Sequence, residues 1–151
     1  MDWRRVFLQR TEMTPMPDSV QPEISVYLCQ NCIPEGVRLP RQWRQDEAYV
    51  QTKILPCSGK TEAQYLFHAL EAGARGVLLV ACPEGACKLA QGNYRAAIRI
   101  QTVQRLLDEI GMEPERVVLL HCAPGDDLEK LVRDAVQKLC ALGESPIRAA
   151  C

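Results

Sequence analysis

Cysteine carries the chemistry in this sequence. Five of its eight cysteines, Cys29, Cys32, Cys57, Cys82 and Cys87, fall just after short apolar runs and are grouped as a pair, a single and a pair. In Cys29-Gln30-Asn31-Cys32, two intervening residues form a turn that lets both sulfurs point at one metal centre. In Cys82-Pro83-Glu84-Gly85-Ala86-Cys87, Gly85 permits the reversal that a four-residue separation needs. Thiolate sulfur is a soft donor, and four such sulfurs bind zinc or an iron-sulfur cluster. A thioredoxin-like dithiol uses the same two-residue spacing, normally where a helix begins and lowers one thiol pKa. Pro34 and Gly36 follow Cys32 and argue against a clean helix start there.

Distant cysteines can meet only if the elements that carry them end along one edge. Ile24-Ser25-Val26-Tyr27-Leu28 is a short β-branched and aromatic run that reads as a strand ending at Cys29. Ala48 to Leu55 gives a second strand, stopped by Pro56, and Gly76 to Ala81 a third, apolar throughout as in a parallel strand covered on both faces. Val117 to Leu120 is the fourth. Helices lie between them. Ala63, Leu66, Phe67 and Leu70 recur at helical spacing up to Gly73, and Ala96, Ile100, Val103, Leu107 and Ile110 form one stripe closed by Gly111. Leu128, Val132, Ala135, Leu139 and Leu142 form a third stripe behind a cap at Asp126 or Asp127. The alternation predicts an α/β fold: a small, doubly wound, mostly parallel four-stranded sheet of flavodoxin-like type, with helices on both faces. In such a sheet the strands' carboxyl ends emerge along one edge, which is where the cysteines stand.

The expected organisation is an N-terminal extension over residues 1–22, an α/β domain over 23–143 and a C-terminal tail over 144–151. A chain of 151 residues can bury a real core without disulfides. A net charge of −1 and an aromatic fraction of 5% provide no case for nucleic-acid binding. No apolar stretch suits a secretory signal or a membrane span, so a cytoplasmic protein is expected. In a reducing compartment, paired thiols are more often metal ligands or redox centres than structural disulfides.

Other candidate residues are weaker. Gly59-Lys60-Thr61 resembles the end of a phosphate-binding loop, but Ile54 stands where the opening glycine belongs. Cys122 also follows a strand and is a sixth candidate ligand, whereas Cys140 reads as helix packing and Cys151 as incidental. His68 and His121 read as structural. Glu84, Lys60 and Lys88 read equally as charges that tune a nearby centre or as solvated surface charges. Arg4, Arg5 and Arg10 around Trp3 form a solvated arm or a partner contact.

The chain resembles the delta subunit family of the methyl-viologen-reducing hydrogenase, from about Ser25 to Leu142. The resemblance rests on Cys29-Gln30-Asn31-Cys32, on Pro56-Cys57-Ser58-Gly59, on Cys82 through Cys87 continuing to Gly92-Asn93-Tyr94, and on Gly111-Met112-Glu113-Pro114-Glu115-Arg116-Val117. It implies a non-catalytic electron-transfer subunit with a 2Fe-2S cluster held by four of Cys29, Cys32, Cys57, Cys82 and Cys87, Cys29 being the expected spare. It further implies a large anaerobic redox complex, in which electrons pass between a hydrogenase-like or other donor module and a flavin-containing heterodisulfide reductase A-type subunit. FAD is then expected on that partner, not on this chain. A zinc-binding assembly module is the alternative.

The sequence departs from the family pattern at Pro83, Ala86 and Lys88, where the family usually carries histidine, an acidic residue and histidine. These changes touch no ligand and bear on hydrogen bonding to the cluster, its potential and the partner surface. Cys122 and the arm before Glu23 are also atypical.

Overall fold

A computed structural model describes residues 23–87 and 91–149. The proposed extension, Lys88 and Cys151 lie outside the described residues. The described chain forms an α/β fold around a five-stranded, mostly parallel sheet. Its strands are β1 (Ile24–Cys29), β2 (Gln42–Gln45), β3 (Ala48–Leu55), β4 (Gly76–Ala81) and β5 (Val117–His121), in the order β2-β3-β1-β4-β5. The main helices are α1 (Ala63–Glu71), α2 (Gly92–Glu109) and α3 (Leu128–Ala141). Beyond them, Pro146–Ala149 make a single helical turn, α4, and Ile147 packs under α1 and α2.

Strands β3, β1, β4 and β5 are parallel, in the registers Leu28↔Ile54, Leu28↔Val80 and Ala81↔His121. Their side chains alternate between two cores. Val26, Leu28, Leu78 and Val80 pack with Leu128, Val132 and Leu139 of α3 on one face. Val77 and Leu79 pack with Leu66 and Leu70 of α1 and with Ala96, Ile100, Val103 and Leu107 of α2 on the other. All six residues of β4 are buried, as its unbroken apolar run requires. Ile110 is the exception to the expected α2 stripe: it caps the helix and is 68% exposed.

The sheet has five strands rather than the expected four. The additional strand, β2, runs antiparallel to β3 at the edge, with Gln45 opposite Ala48. Asp46 and Glu47 form the two-residue connection, with φ of 47° and 67°. That is the primed hairpin conformation, which Asn-Gly usually supplies and which these two acidic residues conceal. Trp43 is the buried apolar residue of β2: its Nε1–H donates to Thr52 Oγ1 at 3.2 Å, and the Arg133 guanidinium lies 5.4 Å from its ring centroid, while Gln45 Nε2 donates to the Arg133 carbonyl at 2.9 Å. One apolar residue among Gln42, Arg44 and Gln45 leaves no strand period to read.

The chain runs from β1 to β3 on one side and then returns past β1 to β4. This reversal opens a crevice beyond the carboxyl end of β1, where open α/β sheets place their ligands. Cys29 is the last residue of β1.

Candidate metal centre

Adjacent parallel strands bring two of the thiols together. Leu28 of β1 lies beside Val80 of β4, so the following residues, Cys29 and then Cys82, leave the sheet side by side. A one-turn 3-10 helix over Gln30–Cys32 then folds the chain back and returns a third thiol to the same place. The Cys29 and Cys82 sulfurs are 3.9 Å apart, and the Cys32 thiol donates to Cys82 Sγ at 3.4 Å. All three sulfurs lie within 4.8 Å of one another, and all three residues are buried. Sulfurs bound about 2.3 Å from one tetrahedral ion stand about 3.7 Å apart, so the observed separations suit shared coordination.

Burial keeps the Cys32 and Cys82 thiols neutral. Burial pushes the Cys32 thiol pKa up, and the Cys82 hydrogen bond and the charges of Cys29 and Cys82 add to the effect. Burial likewise raises that of Cys82, against the Cys32 hydrogen bond, while Cys29 and Cys87 raise it further. Thiols held in this way stay protonated until a cation stabilises the thiolates. A dithiol exchange centre needs the opposite, a thiol with lowered pKa at a helix start. Here the turn at Cys32 leads into no α-helix before β2.

Cys57 and Cys87 reach the same edge but do not join the mutual set of three sulfurs. Cys57 follows β3, is buried, and accepts the Gly59 N–H at 3.4 Å. Its sulfur packs against the start of α2, where a Cβ at Gly92 would collide with it. Gly59 also packs closely on Gly92, and the Arg99 guanidinium donates to the carbonyls of Gly59 and Thr61. This interlock couples the Cys57 loop to the Gly92-Asn93-Tyr94 segment, and it covers the backbone that a phosphate loop would leave open. Cys87 is half-buried beyond a turn closed by the Ala86 N–H on the Pro83 carbonyl at 3.0 Å, with Gly85 at φ 72°.

Two residues that fix the Cys82 loop are not evident as such in the sequence. Asn93 is buried, and its Nδ2 donates to the carbonyls of Cys82 and Pro83 at 3.2 and 2.6 Å, while its Oδ1 accepts the Tyr94 N–H at 2.8 Å. His121 Nδ1 is 2.8 Å from the Cys82 carbonyl, which can only accept, so this nitrogen carries the ring proton. The available signals were a polar residue at a helix start and a histidine at a strand end. Their common target depends on the packing of β4 against β5. His68, by contrast, pairs with Glu71 at 3.2 Å on the exposed side of α1. Glu84 and Lys60 are exposed.

Cys122 follows β5, is buried, and its N–H bonds to the Ala81 carbonyl at 3.0 Å. With Cys32, Cys82 and Pro83 it lines a recess of about 320 Å³ beside the three sulfurs. Burial raises its thiol pKa, and the Asp126 charge adds to this.

Residues 24–143 match the family model described as methyl-viologen-reducing hydrogenase, delta subunit. The chain belongs to this family. A relative in Archaeoglobus profundus, named as the D-type iron-sulfur subunit of an F420-non-reducing hydrogenase, is 34% identical over 105 residues, covering 69% of this chain and 77% of that one. Its Methanocaldococcus jannaschii counterpart, the D-type iron-sulfur subunit of the vhu hydrogenase, is 31% identical over 107 residues, covering 70% and 80%. A Methanosarcina mazei protein, named as the A-type subunit of ferredoxin:CoB-CoM heterodisulfide reductase, is 28% identical over 89 residues, which are 58% of this chain but 11% of that much longer one. The family match contains every cysteine of the three motifs.

Proposed function

We propose that this chain is an electron-transfer subunit that holds a 2Fe-2S cluster through four of Cys29, Cys32, Cys57, Cys82 and Cys87. The observation that carries the reading is the buried set of Cys29, Cys32 and Cys82 at the sheet's switch point, with sulfurs at coordination spacing. When bound, the cluster supplies one-electron redox chemistry. The protein's own contribution is to exclude water with the surrounding core and to fix the Cys82 loop through Asn93 and His121. No substrate-converting residue is needed for that role, so the chain serves an oxidoreductase complex without itself being catalytic.

The names of the relatives support the place of the relay. Several are iron-sulfur subunits of hydrogenases, and one similar stretch belongs to the A-type subunit of a heterodisulfide reductase. The proposed route therefore runs between a hydrogenase-like or other donor module and a flavin-containing A-type subunit, with FAD on that partner, in an anaerobic cytoplasmic complex. No helix among the described residues is long and apolar enough to cross a membrane.

Zinc is the second reading, because the same sulfur spacing suits any soft tetrahedral ion. One preparation separates the two. Protein purified without oxygen and assayed for iron, acid-labile sulfide and zinc should contain iron and sulfide, and should give an EPR signal after reduction. Stoichiometric zinc with no sulfide, unchanged after iron-sulfide reconstitution, would contradict the cluster.

A further inference from the structure

We propose that the open half of β3 is a docking groove for an extended, acidic segment of a partner protein, which adds to the sheet as a strand. Strand β2 pairs with only the first half of β3. The Thr52 N–H still donates to the Arg41 carbonyl at 2.7 Å, and beyond that point no described residue pairs with the edge. Backbone groups alternate along a strand, so the N–H and C=O of Ile54 point to the same side as those of Thr52, beyond the start of β2 at Gln42. A free strand edge of this kind is a template for another chain.

The groove along this edge has a volume of about 1190 Å³, between the last residues of β3 and the loop at Ile33 to Gln42. Its floor is apolar, with Leu28, Ile33, Leu39 and Leu55, and Ile54 is 60% exposed beside it. Its charges are of one sign. Arg38, Arg41 and Lys53 line it, all three are exposed, and none of the described lining residues is acidic. Among the described residues none of the three forms an ion pair. Natural edges are often guarded by a single charge. Three cations around an apolar floor instead fit a strand that alternates carboxylate and apolar side chains, its backbone meeting Ile54 and its acids meeting the cations. A strand added there would be two strand spacings from β1, about 10 Å, and β1 ends at Cys29.

The test uses the full-length protein and a fluorescein-labelled hexapeptide of alternating Glu and Val, with alternating Lys and Val as control. The acidic peptide should bind at least about tenfold more tightly, the preference should weaken as salt rises, and saturation should slow hydrogen exchange at the Ile54 amide at least about tenfold. The double variant Arg38→Glu with Lys53→Glu changes only exposed side chains and should abolish the preference. Equal binding of both peptides, or an Ile54 amide unchanged at saturation, would overturn the proposal. So would an Ile54 amide already protected in the chain alone, since its own residues or a second copy would then fill the groove.

Discussion

At the amino-terminal end of the sheet, just before β5, Arg116 is 1% exposed and all five of its guanidinium N–H groups have acceptors: the Glu113 carboxylate and the carbonyls of Arg75, Leu142, Gly143 and Glu144. At the carboxyl end, Cys29, Cys32 and Cys82 are buried to a similar degree and have weak S–H contacts with one another. The first end is a closed structural clamp, which joins the turn before β5 to the carboxyl end of α3 and to the start of β4. The second is held in shape by its neighbours, and its three sulfurs are spaced so that they could hold a metal ion. Because a thiol is a weak hydrogen-bonding group, burying three of them costs little, and the site can form ahead of its ligand. Structure and function are thus divided between opposite ends of the same strands.

The division can be broken by substitution. Arg116→Ala leaves four carbonyls without their donor and should cost on the order of 3 kcal/mol or more in denaturant unfolding of the metal-free protein. Cys32→Ala removes one sulfur from a site with no strong hydrogen bonds and should cost about 1 kcal/mol in the same assay, while sharply reducing iron content. Equal losses of stability at the two ends would refute the division.

A smaller effect sharpens it. Burial is the largest cause raising the pKa values of Cys32, Cys82, Cys122 and Cys140 from 9.0. The folded state therefore keeps protons that the unfolded chain releases, and the associated stability is present below pH 9.0 and is lost as pH rises toward the folded values. Metal-free protein should unfold at lower denaturant concentration as pH is raised past 9.0. The slope should persist in Arg116→Ala, whose lost group does not titrate there, and should shrink in Cys32→Ala.

Much of this was legible in the sequence, and the remainder has physical causes. β4 and the three long helices announce themselves through an unbroken apolar run and regular stripes, which burial on both faces demands. β2 does not, because a lone Trp43 and an Asp46-Glu47 turn carry neither the strand period nor the usual turn residues. Strand ends predicted a common edge for the cysteines, and Cys29, Cys32 and Cys82 do converge. Linear spacing could not say that Cys57 would turn its sulfur toward Gly92, or that Asn93 and His121 would share the Cys82 carbonyl. Those are contacts between elements. Arg116 was visible only as part of the family motif from Gly111 to Val117, and its clamp gives that residue and its partner Glu113 a structural role.

Iron and acid-labile sulfide per chain, measured on anaerobically reconstituted protein and on the single variants Cys29→Ser, Cys32→Ser and Cys82→Ser, show whether these sulfurs hold a cluster. The unaltered chain should hold about two of each. Cys32→Ser and Cys82→Ser should show a marked loss, with folding retained by circular dichroism; the result for Cys29→Ser decides whether that residue is the spare. Full iron and sulfide with an unchanged EPR signal in all three variants would contradict a cluster held by these sulfurs.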